Sequence, residues 1–133
     1  MRNFNKTRGL RVFLLIAGLF FALQTYSAEA CEIDLEIVKG KKASYEVGDV
    51  IIVKVEVFLT HRNCPEPLNA TKYNQVGLKI LKNTKWKNPS ANTYTQKLKI
   101  KITEAGTKKI SLGAVRTCDK TGGVGNITIQ AGK

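Results

Sequence analysis

The sequence predicts an all-β domain, an antiparallel β-sandwich of about seven strands. Three observations carry that expectation. Ile51, Val53, Val55, Val57 and Leu59 fall on one face of a stretch whose other face carries Lys54, Glu56 and Thr60, with the less polar Ile52 and Phe58. Such period-two alternation of β-branched residues marks a half-buried strand. Turn-forming residues recur at roughly 8–12-residue intervals, as in a sandwich, and no stretch after residue 30 shows a helical period.

Residues 1–30 read as an address rather than as fold. Arg2, Lys6, Arg8 and Arg11 precede an uncharged apolar run, Val12 to Leu23, too short for a comfortable membrane span. Ala28 and Ala30 are the small residues a signal peptidase reads. The expectation is a secretory signal peptide over 1–30, a single domain over 31–133, and an exported, periplasmic or secreted product. Lipidation at Cys31 is the alternative, and Glu29 and the polar QTYSAEA spacer fit it badly. Membrane association is expected only if Cys31 is lipidated.

From Cys31 onward the elements follow in order. Ile33 to Val38 alternates as a first strand, and KGKKAS (39–44) is a basic turn. Val47, Gly48 and Asp49 form the turn that starts the long strand from Asp49 to Thr60. Pro65 and Pro67 make His61 to Tyr73 a loop. Val76 to Leu81 is a short strand with Val76, Leu78 and Ile80 inward, and Trp86 is expected to cover the core edge. Asn88, Pro89 and Ser90 read as a turn. Tyr94 to Thr103 places Tyr94, Leu98, Ile100 and Ile102 on one face and Lys97, Lys99 and Lys101 on the other. Lys109 to Val115 is the next strand. Gly122, Gly123 and Gly125 supply positive φ in a loop, and Asn126 to Ala131 closes the chain. The expected core is Val53, Val55, Val57, Leu98, Ile100, Ile102, Ile110, Leu112, Ile127 and Ile129.

This spacing, the YEVGD start of the long strand and the EAGTKKISL corner resemble bacterial immunoglobulin-like and fibronectin type III-like modules. The resemblance implies a sandwich whose first strand start, B–C loop and F–G loop share one end. With Asp49–Thr60 as strand B and Lys109–Val115 as strand F, Cys31, His61, Cys64 and Cys118 gather at that pole. Fold resemblance alone implies no function.

Two chemistries suit such a pole. Three thiolates and an imidazole would hold copper, zinc or an iron–sulfur centre, with Arg62, Arg116 and Lys120 favouring the thiolates. Alternatively a Cys64–Cys118 disulfide ties two loops, which in an exported protein contributes on the order of 4 kcal/mol. The cysteine count of 3 leaves one thiol over in that case. A nucleophile–base pair of Cys64 and His61, a small thiol enzyme, is a third reading. A blue-copper site lacks its second histidine. Asp119 to Gly122 resembles the aspartyl-phosphate motif of P-type pumps and departs from it at Gly123.

Twenty-two basic residues stand against 10 acidic ones. In an exported protein that excess points to an anionic surface or an acidic protein rather than to nucleic acid. Lys97, Lys99 and Lys101 form the candidate anion-binding row. The expected function is a non-enzymatic binding module for a metal or redox partner at the Cys/His pole; the alternative is a disulfide-stapled interaction or adhesion module with a basic face.

Overall fold

The computed structural model describes residues 31–60, 66–106, 109–118 and 122–130. Among these, eight strands form two packed antiparallel sheets, a β-sandwich. They are β1 (Cys31–Lys39), β2 (Val50–Leu59), β3 (Lys72–Val76), β4 (Leu78–Asn83), β5 (Lys87–Ser90), β6 (Thr93–Ile102), β7 (Ile110–Arg116) and β8 (Gly123–Ile129). The larger sheet runs β1-β2-β6-β4, with β5 also paired to β6, and the smaller runs β3-β7-β8. No described helix is long and apolar enough to cross a membrane.

The strands form where alternation is strongest. Ile51, Val53, Val55 and Val57 of β2 and Leu98, Ile100 and Ile102 of β6 are at most 1% exposed. They face Ile110, Leu112, Ala114 and Ile129 of the smaller sheet in one core. Of the expected core residues, Ile127 alone is only half-buried. Trp86 packs against the core from its edge, as expected. Tyr45, buried beyond what alternation signals, joins the same core.

The turn before β2 is built as the sequence implies. Asp49 accepts the Glu46 N–H at 2.9 Å and pairs with Lys42 at 2.9 Å. Those bonds, the backbone one foremost, hold the Asp49 carboxyl below its usual pKa.

Three expectations are corrected. The expected strand Val76–Leu81 is divided between the sheets: Val76 ends β3, which begins at Lys72 inside the expected His61–Tyr73 loop, and Leu78 begins β4. Gly77, at φ 69°, makes the switch, and a Cβ there would meet Ile110 Cγ1 at 2.9 Å. Val76 therefore stays 50% exposed instead of turning inward. Second, Asn88, Pro89 and Ser90 lie within β5, and the turn sits at Ala91 and Asn92. Proline is tolerated there because β5 pairs only with β6.

Third, Gly122, Gly123 and Gly125 do not have positive φ. Gly123 and Gly125 lie in β8 because β1 crosses so near: a Cβ on Gly123 would strike the Cys31 carbonyl, and one on Gly125 would lie 2.7 Å from the Ile33 carbonyl. The missing side chains let the edge of one sheet close on the edge of the other.

Truncation in the shared core should destabilise through lost burial plus a cavity. Val55→Ala and Leu112→Ala should each cost about 1–4 kcal/mol in urea unfolding.

Candidate functional site

Alternation decides what the outer face of the larger sheet carries. With Leu98, Ile100 and Ile102 inward, Lys97, Lys99 and Lys101 project outward from β6 and are exposed, as the sequence predicts. The neighbouring strands add to the row. Lys54 of β2 lies directly opposite Lys97, Lys82 of β4 opposite Lys99, and Lys79 of β4 opposite Lys101. Like charges directly opposite across a ladder destabilise a sheet.

Carboxylates relieve only one corner. Lys54 Nζ contacts Glu36 at 3.3 Å and Glu56 at 3.5 Å. The Glu36 hydrogen bond first, and Glu56 beside it, hold the Lys54 pKa above the usual lysine value. Among the described residues no carboxylate pairs with Lys79, Lys82, Lys97, Lys99 or Lys101.

Within this face lies a groove of about 430 Å³, lined by Val38, Lys39, Ile52, Lys82, Asn83, Thr84, Lys97 and Lys99. Ile52, half-buried, is its floor; in register it lies between Lys39 of β1 and Lys99 of β6. The sequence marks the β6 lysines. It does not mark Lys39 and Lys82, because their position depends on irregular registers, between Ile37 and Lys39 and between Ile80 and Lys82.

Of the four expected pole residues, Cys31 and Cys118 lie among the described residues. Cys31 begins β1 against Gly123, and Gly123 pairs with Arg116, two residues before Cys118. Leu59, opposite Cys31, brings β2 to the same end. Cys31 is a free thiol with no exposed surface, whereas Cys118 has a partner. His61 and Cys64, with Arg62 and Lys120, lie outside the described residues. Among the described residues no group of three or more His, Cys, Asp or Glu side chains is placed to hold a metal ion. The metal quartet and the Cys64–Cys118 bridge both depend on positions outside the described residues.

One pole residue takes a role the sequence does not signal. Arg116 continues the inward phase of Ile110, Leu112 and Ala114 and is only 2% exposed. Its guanidinium closes on the segment before β3. Nη1 donates to the Pro67 and Leu68 carbonyls at 3.2 and 3.1 Å and to Thr71 Oγ1 at 2.8 Å. Nη2 donates to the Glu66 carbonyl at 3.1 Å, and Nε has no partner. The charge expected to acidify thiols is engaged with carbonyls instead. The fixed fork of guanidinium donors suits this multidentate grip.

Beside it, Tyr73 of β3 donates to Gln96 Oε1 of β6 at 2.7 Å, and Gln96 Nε2 donates to the Thr84 carbonyl at 2.7 Å. Gln96 is a buried polar residue in phase with Leu98, and the bond joins the two sheets. Burial pushes the Tyr73 hydroxyl up to about 12, against the opposing pull of the Arg116 charge. A hydroxyl raised in this way favours the fold while neutral. Its contribution is complete below about pH 10 and is lost as pH rises through about 12.

No protein family, curated protein or solved structure matches the chain.

Removing the guanidinium should free the Glu66–Thr71 segment. Arg116→Met should cost about 1–3 kcal/mol or more, because buried carbonyls lose their donors. Limited proteolysis should show cleavage within residues 66–71 before global unfolding, and Arg116→Lys should protect the segment only partly.

Proposed function

We propose that this chain is an exported immunoglobulin-like binding module that engages an anionic partner through the outer face of its larger sheet. The observation that carries the reading is the set of lysines facing one another across β6, at Lys54–Lys97, Lys82–Lys99 and Lys79–Lys101. A solvated strand face gains nothing from placing like charges opposite each other. A surface that binds an anion regains that repulsion as attraction when the partner docks.

The strand order supports the immunoglobulin-like part. β1-β2-β6-β4 facing β3-β7-β8 corresponds to the A-B-E-D and C-F-G sheets of a constant-type domain. In that correspondence the segment between β2 and β3 is the B–C loop and the segment between β7 and β8 is the F–G loop. A Cys64–Cys118 bridge between those loops forms the structural staple of this proposal. It is supported by Cys31 being a separate, buried thiol and by Cys118 having a partner. The pole then stabilises, and the lysine face binds.

The test is retention on an acidic polysaccharide column as salt is raised. Replacing Lys97, Lys99 and Lys101 together with glutamine should lower the eluting salt concentration sharply, since attraction over a Debye length of about 8 Å is screened at physiological ionic strength. Thermal stability should stay equal or rise slightly as repulsion is relieved. Unchanged retention in that variant would remove the face as the binding site.

A further inference from the structure

We propose, resting on the anion-binding reading above, that the groove on the lysine face takes an anionic lipid, with one acyl chain along the Val38–Ile52 floor and the charged headgroup among Lys39, Lys82, Lys97 and Lys99. The groove is amphipathic in a way a purely anionic polymer would leave unused. Its floor is aliphatic: Ile52 half-buried and Val38 44% exposed, with Val50 at 43% nearby on the same strand as Ile52. Four lysines from three strands, β1, β4 and β6, line the groove beside that floor. Asn83 and Thr84 add neutral hydrogen-bonding groups at the β4 side.

The composition separates ligand classes. A site for an uncharged sugar would place an aromatic ring under it, and a single-stranded nucleic acid site would stack bases on aromatics. No aromatic residue is among the described residues that line this groove. An anionic amphiphile matches both halves of the lining. Its chain covers Val38 and Ile52, the lysine stems close over it, and the ammonium tips reach the headgroup. The size fits one chain. A volume of about 430 Å³ lies toward the small end of ligand pockets, which run from about 300 to 1,000 Å³.

The test titrates the purified protein with alkyl phosphates of increasing chain length, below their micellar concentrations, alongside inorganic phosphate. Affinity should rise by about fourfold for each added methylene until the groove is filled. Inorganic phosphate should bind at least 100-fold more weakly than dodecyl phosphate, roughly the gain of four buried methylenes. Ile52→Ser should weaken dodecyl phosphate at least tenfold. Val38→Ser, at a position too exposed to endanger folding, should weaken it in the same direction. Neither change alters charge, so elution from the acidic polysaccharide column should be unaffected.

Affinity independent of chain length, or unmoved by both serine variants, would overturn the lipid proposal. If polysaccharide retention persisted in that case, the anion-binding reading would stand without it. Loss of lysine-dependent retention as well would remove both.

Discussion

Strand β6 is hydrogen-bonded to β2, β4 and β5, and its alternation gives the molecule two unlike faces. Leu98, Ile100 and Ile102 have no exposed surface, while Lys97, Lys99 and Lys101 between them are exposed. A slip of one residue would exchange the sets and place three ammonium groups in the core. The desolvation of even one unpaired charge exceeds what a ladder hydrogen bond returns. The core therefore fixes where the lysines stand. Their mutual repulsion is tolerated because the apolar burial that fixes the register outweighs it.

Two kinds of contact besides apolar packing join the two sheets, and a third ties a loop to the smaller sheet. Tyr73 and Gln96 join β3 to β6 through a hydrogen bond. Gly123 and Gly125 let β8 approach the backbone of β1 more closely than any side chain would permit. Arg116 reaches from the end of β7 to the carbonyls of residues 66–68. The last is the least ordinary, a buried cation gripping backbone rather than a carboxylate. It fixes the end of the segment between β2 and β3 from the neighbouring strand, independently of any covalent tie at Cys118.

Much of the fold is legible because alternation is strong where burial is one-sided. β1, β2, β6 and β7 lie within a residue or two of where the periodicity places them. The misses have local causes. Gly77 sends two adjacent short strands to different sheets, and period two cannot report a change of sheet. The glycines of β8 look like a loop because glycine signals both positive φ and close backbone approach. Arg116 and Gln96 are hidden because a polar residue in the inward phase reads as a break in the pattern until its partners are known. On the outer face, Lys97, Lys99 and Lys101 can be read from one strand. Lys39 and Lys82 reach the groove only through irregular registers, so the aliphatic floor between them emerges only in three dimensions.

The structure thus separates two ends of the original expectation. At one end, Cys31 begins β1 and Arg116 holds the segment from Glu66 to Leu68. The lysine face offers a complete set of charged side chains around an aliphatic groove. The central claim is that binding occurs at that face. Backbone amide chemical shifts recorded while an acidic oligosaccharide or dodecyl phosphate is titrated in would locate the contact directly. The account predicts concentration-dependent shifts clustered at Val38, Lys39, Ile52, Lys82, Lys97 and Lys99. Shifts confined to Cys31, Arg116 and Cys118, with the β6 lysines unmoved, would contradict it.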